Sequence, residues 1–144
     1  MKRILGLDLG TKTLGIAMSD VLGIAHGLEL VRFKAQDFET PLKRVNELIK
    51  QHGIEEIALG LPLHLSGEQS DMSKKCLEFK DMIEKNNENV KVEMIDERLT
   101  SVTAHKSLTM MNIDSRKHKN IVDMLAAEEI LDSYLRKKEI NGTK

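Results

Sequence analysis

A chain of 144 residues with 40% hydrophobic and 31% charged residues has the length and composition of one soluble globular domain with a real core. No stretch approaches the roughly 18 apolar residues of a membrane span, Asp8 interrupts the N-terminal apolar run before it resembles a signal peptide, and Cys76 has no second cysteine to pair with, so the chain reads as cytoplasmic, with no membrane partner. The net charge of −1 decides nothing, but residues 98–119 carry five basic side chains against one acid, Asp114, an asymmetry that suits a polyanion-binding patch and equally a solvated loop.

In chain order, residues 2–9 and 13–19 read as two antiparallel strands joined by a Gly-Thr-Lys-Thr turn, and residues 28–33 as a third. Thr40 and Pro41 read as the cap and first position of a helix. Leu42, Val45, Leu48 and Ile49 form its apolar stripe and Gly53 stops it. Residues 54–61 are continuously apolar at their centre, as in a strand covered on both faces. After a loop, a second helix begins near Ser70, with Met72, Cys76, Phe79 and Ile83 on one face; Cys76 on that stripe reads as an inert core residue. Residues 90–95 predict a fifth strand. A third helix is expected from Thr100 or Ser101 to about 111, a polar and basic loop over 112–118, and a last helix over about 120–138. The expected fold class is α/β: a mixed five-stranded sheet, three antiparallel strands followed by βα units, with helices on both faces. It forms a single domain over 1–138 with a frayed tail at 139–144.

Several acids stand where burial makes a lone charge costly. Asp8 is inside the first strand. Asp96 and Glu97 end the fifth strand, at the carboxyl edge where open α/β sheets place their sites. Asp123 is in helical phase with Ala126, Ala127 and Ile130, on a face small enough to approach a sheet closely. Carboxylates converging on one point repel one another unless a cation joins them. An oxygen-only donor set favours Mg²⁺ or Mn²⁺ over Zn²⁺, and two such ions about 4 Å apart activate water for phosphodiester hydrolysis.

Four motifs carry a resemblance over nearly the whole chain: Gly6-Leu7-Asp8-Leu9-Gly10-Thr11-Lys12 with Gly15-Ile16-Ala17; Gly60-Leu61-Pro62-Leu63 through to Gly67; Asp96-Glu97-Arg98-Leu99-Thr100-Ser101; and Asp123-Met124-Leu125-Ala126-Ala127 with Ile130-Leu131 and Tyr134-Leu135. In this order the sequence resembles the YqgF/RuvX family of the ribonuclease H-like superfamily. The resemblance implies a ribonuclease H-like, metal-dependent nuclease with Asp8, Glu97 and Asp123 as catalytic, metal-binding acids. It implies 5′-end processing of pre-16S ribosomal RNA or, in the family's older description, resolution of Holliday junctions in branched DNA. One departure from the superfamily stands out. The fourth strand ends in Gly60-Leu61-Pro62 with no acid, so Glu97 takes the place of that carboxylate, with Asp96 and Glu68 as alternatives.

Phosphate contacts are expected from Thr11 and Lys12 at the hairpin turn, and from Ser66 and Gly67 ahead of the second helix, whose free N–H groups suit an anion. Arg98 would either hold a phosphate or pair with Asp96. Arg116, Lys117 and Lys119, just before the last helix, would strengthen binding without reading sequence. The Asp8-Leu9-Gly10-Thr11-Lys12 turn is shared with sugar kinases, but 144 residues cannot supply the two domains that flank a nucleotide in the actin and hexokinase group. A non-catalytic nucleic-acid-binding module would not call for three costly acids. The chain is expected as a monomer or homodimer, a junction resolvase needing two sites about a two-fold axis.

Overall fold

The computed structural model describes residues 2–63, 66–99 and 116–140. Five strands, β1 (Leu5–Leu9), β2 (Thr13–Ser19), β3 (Ala25–Arg32), β4 (Glu56–Leu61) and β5 (Lys91–Asp96), form one mixed sheet. The strands stand in the order β3-β2-β1-β4-β5. β1 to β3 pair antiparallel, and β4 and β5 run parallel to β1. The helices are α1 (Glu39–His52), α2 (Asp71–Asn86) and α3 (Arg116–Ile140), with a short 3₁₀ turn at Glu97–Leu99. Among the described residues, no helix is long and apolar enough to cross a membrane.

The two faces of the sheet are packed by different residues. Leu5, Leu7, Leu9, Leu14, Ile16, Ile57, Leu59 and Val92 point to one face. There they meet Leu42, Val45 and Leu48 of α1 and Cys76, Phe79 and Ile83 of α2. The pleat sends alternate residues to the opposite face. That face carries Ala17, Ala58 and Ile95, which pack on Ala126, Ala127, Ile130, Leu131 and Tyr134 of α3. Cys76 is fully buried, as its place on the α2 stripe predicts.

Local chemistry explains the element ends. Gly53 closes α1 in the left-handed region (φ 63°), its N–H donating to the Ile49 carbonyl. Ser70 caps α2 in a reciprocal box: its Oγ accepts from the Ser73 N–H, and the Ser73 Oγ accepts from the Ser70 N–H. Several boundaries differ from the sequence expectation: β1 begins at Leu5 rather than residue 2, β4 begins at Glu56 rather than residue 54, and α3 runs to Ile140, two residues into the expected tail. α1 starts at Glu39 rather than after Thr40, because Asp37 accepts from both the Thr40 N–H and hydroxyl (3.4 and 2.7 Å) and holds the entering chain. β3 begins at Ala25, earlier than expected, since Ala25–Gly27 still pair with Ala17–Ser19 before a bulge shifts the register. α3 starts at Arg116, so Arg116–Lys119 lie in its first turns rather than in a preceding loop. The helix expected over about 100–111 and the loop at 112–115 lie outside the described residues.

Candidate active site

Strand pairing places Asp8. It sits opposite Gly15 in the β1–β2 ladder, one residue short of the hairpin end, where the Gly10 N–H donates to the Thr13 carbonyl (2.7 Å). Leu7 and Leu9 face α1 and α2, so the alternation turns Asp8 toward α3, where it is only 5% exposed. Parallel register carries the same level across to β4. Leu7 pairs with Leu59, which puts Gly60 beside Asp8, and Gly60 in turn pairs with Ile95 of β5.

Glu97 follows Ile95 by two residues and is 6% exposed. Its side chain does not rise from the sheet edge but lies back over β4. Oε2 and Cδ stand 3.3 and 3.4 Å from the position a Cβ on Gly60 would take. On the α3 side, the Asp123 backbone carbonyl comes within 2.4 Å of the Cβ position of Gly15, the residue paired with Asp8. The helix therefore rests on bare backbone at this level, and Oδ2 of Asp123 is shielded from solvent. Three acids from β1, the end of β5 and α3 thus share one face at the carboxyl edge of β1, β4 and β5.

The chemistry of this donor set fits a hard divalent cation. It offers carboxylate oxygens only, two of the acids are nearly dry, and glycines clear the floor between them. Among the described residues, no three His, Cys, Asp or Glu side chains are already gathered about one metal position. The acids share a face and a level rather than a finished cage.

The alternatives for the middle acid separate on geometry. Asp96 alternates with Glu97 and so belongs to the α1/α2 face. It accepts from the Arg98 backbone N–H (2.9 Å), from Nε and from Nη2 (2.7 Å). The Arg98 guanidinium holds the Asp96 carboxyl below its usual range, and Asp96 in turn raises Arg98. Of the two roles open to Arg98, the structure adopts the ion pair. The same guanidinium lies against Gly67, with Nη1 3.4 Å from that residue's Cβ position. Glu68 is exposed in the loop, its N–H facing the Ser66 Oγ at 3.4 Å.

The expected phosphate contacts gather at the same edge. Thr11 and Lys12 are exposed at the β1–β2 turn, three and four residues beyond Asp8. Ser66 and Gly67 are exposed in the loop after β4, which is closed by a Leu63–Gln69 bridge and by the Ser70 hydroxyl donating to the Pro62 carbonyl (2.9 Å). The Ser70 cap already takes the Ser73 N–H of α2, which narrows the anion site expected there. α3 runs from Gly15 past Gly6, which meets Ala127 and Leu131, to Glu56 at the opposite edge. Its first turns, with Arg116, Lys117 and Lys119, lie up to about 10 Å along the helix axis from Asp123. Gly15 and Gly60 were absent from the sequence-derived site. Their signal was present in the motifs, since a glycine inside a strand marks close approach of another backbone.

The sequence profile described as RuvX: Holliday junction resolvase matches residues 2–137. The chain belongs to the RuvX family. Two RuvX relatives, each bearing the provisional name pre-16S rRNA nuclease, span almost the same length. One, of Acetivibrio thermocellus, is 38% identical over 137 residues, covering 94% of this chain and 96% of the relative. The other, of Bacillus subtilis strain 168, is 40% identical over 134 residues, covering 92% and 96%. Among solved structures, Thermus thermophilus RuvC in complex with a Holliday junction substrate matches with a TM-score of 0.60 at 17% identity, over 99% of this chain and 98% of that one. The yeast mitochondrial Holliday junction resolvase Ydc2 matches with a TM-score of 0.53 at 13% identity, over 94% and 78%. At such identities these two likenesses establish the fold, which is ribonuclease H-like. RuvX membership makes the chain a hydrolase of phosphodiester bonds, with nucleic acid as its substrate.

Proposed function

We propose that this chain is a divalent-metal-dependent nuclease of the cytoplasm, acting as one domain over 1–138, and that it trims the 5′ end of pre-16S ribosomal RNA. The observation that carries the reading is the set of buried Asp8 and Glu97 carboxylates on the face that Asp123 of α3 meets, at the carboxyl edge of the sheet. Asp8, Glu97 and Asp123 would hold Mg²⁺ or Mn²⁺, which supplies an activated water and charge stabilisation of the leaving oxygen. Asp8 lies within the β1–β2 ladder, paired with Gly15, rather than at the hairpin tip. Thr11, Lys12, Ser66 and Gly67 flank that edge and meet substrate phosphates. Arg98, bound to Asp96 and stacked on Gly67, orients the loop rather than the scissile phosphate. Arg116, Lys117 and Lys119 on the first turns of α3 add sequence-independent affinity. The relatives' shared name, at about 40% identity over nearly full length, supports the RNA substrate.

The family's description supports a second substrate, a four-way DNA junction. Incubation of the protein and its Asp8→Asn variant with pre-16S leader RNA and with a four-way junction, with Mg²⁺ or Mn²⁺, distinguishes the two. Leader cleavage is expected, reduced about a hundredfold or more in Asp8→Asn while RNA binding persists. Junction cleavage without leader cleavage would replace the RNA substrate, and undiminished cleavage by Asp8→Asn would remove Asp8 from the chemistry.

A further inference from the structure

Building on the proposed metal role of Glu97, we infer that Gly60 is a positioning residue of the site. Its missing side chain leaves the space in which the Glu97 carboxylate lies. At this level β4 carries no acid, and instead seats the acid that follows β5. The register makes the point geometrically. Gly60 stands in the strand between Asp8 and Ile95, and Glu97 lies beyond Ile95 on the same face. The Glu97 carboxylate reaches back over the neighbouring strand, to 3.3 Å from the Gly60 Cβ position, and so moves toward Asp8 by up to one strand spacing, about 4.8 Å. A methyl group on residue 60 would stand tighter against Oε2 of Glu97 than ordinary contact allows, so the carboxylate would have to shift by a few tenths of an ångström.

Gly60 also has a packing role, because the same methyl would meet Ile130 Cδ1 at 2.5 Å. That atom is the far end of a flexible side chain, and Ile130→Val removes it. The pair Gly60→Ala/Ile130→Val therefore relieves the packing conflict and leaves the Glu97 conflict in place. The two roles come apart in one series of full-length proteins: wild type, I130V, G60A/I130V and E97Q. Each is titrated with Mn²⁺ alone by calorimetry, and each is melted with and without Mn²⁺ so that its metal-induced shift is referred to its own metal-free melt. The expected result is wild-type Mn²⁺ affinity in I130V and a loss of about ten- to a hundredfold in G60A/I130V, with its metal-free melting close to that of I130V. Wild-type Mn²⁺ affinity in G60A/I130V, with weakened binding in E97Q, overturns the role of Gly60 and leaves Glu97 a ligand. Wild-type affinity in E97Q overturns the ligand role of Glu97 and the inference with it. Should the valine pair melt too early to titrate, G60A/I130A clears more room beside residue 60 and is read against I130A in the same way.

Discussion

The two faces of the sheet solve the same burial problem in opposite ways. Toward α1 and α2 the strands present Leu5, Leu7, Leu9, Leu14, Ile16, Ile57 and Leu59, and the helices answer with Leu48, Phe79 and Ile83. Bulk fills the gap, and three rings (Phe33, Phe38, Phe79) stack in tilted pairs 5.9 and 6.4 Å apart. Toward α3 the strands present Gly6, Asp8, Gly15, Ala17, Ala58 and Gly60, and the helix comes down onto them until carbonyl oxygens nearly touch the strand backbone. The first face maximises apolar area. The second gives up area for distance, and distance is what brings an acid on a helix to the level of an acid on β1 and an acid just past β5. The cost of charge is confined to the face with the least room for anything else.

If that division holds, the face opposite the site affects stability without affecting metal binding. Phe79→Ala removes a side chain only 1% exposed at the centre of the bulky face. It is expected to lower unfolding free energy by about 3–5 kcal/mol in urea titration, while the folded protein keeps wild-type Mn²⁺ affinity. A fall in affinity parallel to the stability loss would show that the two faces are not separable.

The α3 face predicts the reverse proportion. Gly15→Ala places a methyl 2.4 Å from the Asp123 carbonyl oxygen and 3.1 Å from its carbonyl carbon. Backbone cannot swing aside as a side-chain tip does, so the helix itself must lift. The expected stability loss is smaller, about 1–3 kcal/mol, yet Mn²⁺-dependent cleavage should fall by more than that loss explains, because the lift moves Asp123 away from Asp8. Full cleavage activity in a destabilised Gly15→Ala would make the close approach a packing feature alone.

Most of this architecture was legible before the fold was seen. Apolar runs bounded by turn residues gave the strands, and the stripe through Met72, Cys76, Phe79 and Ile83 gave α2. Asp123 in phase with Ala127 and Ile130 gave the one polar group on a small-residue face. What escaped were effects of tertiary context. The start of α3 was misplaced because its first turn carries basic residues and no acid, the arrangement least favoured by the helix dipole. The partner of Arg98 stayed open because pairing two residues apart depends on the 3₁₀ turn that folds the chain back after β5. The seats at Gly15 and Gly60 stayed unassigned because a glycine names no neighbour; only the register of β1, β2 and β4 shows what rests on it.

The smallest predicted effect compares how each face ties its helix to the sheet edge. On the bulky face Glu84 of α2 accepts from the Val92 N–H of β5 (2.9 Å) and from Lys80. On the other face Glu56 of β4 accepts from Tyr134 and Lys138 of α3, each at 2.7 Å. The Val92 N–H is the main reason the Glu84 carboxyl lies below its usual value, assisted by Lys80 against an opposing burial effect. For Glu56 burial pushes upward most strongly, but the Lys138 and Tyr134 hydrogen bonds together carry it below 4.5. Burial and the Glu56 carboxylate push the Tyr134 phenol upward, so it stays a donor across the whole neutral range. Both acids are thus easier to ionise folded than unfolded. Their stabilisation is fully present above the ordinary carboxylate range near 4.5 and is lost as pH falls through their depressed folded values. Melting temperature should therefore be level from about pH 5.5 to 7.5 with respect to these groups and decline below about pH 4.5. Tyr134→Phe removes one of the bonds that depress Glu56, at a cost of about 1 kcal/mol. It should shift the acid limb of the curve upward while leaving Mn²⁺ affinity unchanged, since Glu56 anchors the end of α3 farthest from Asp123. Coupling of Tyr134→Phe to metal affinity would mean that the tilt of α3 is set at its C-terminal anchor rather than at its glycine seats.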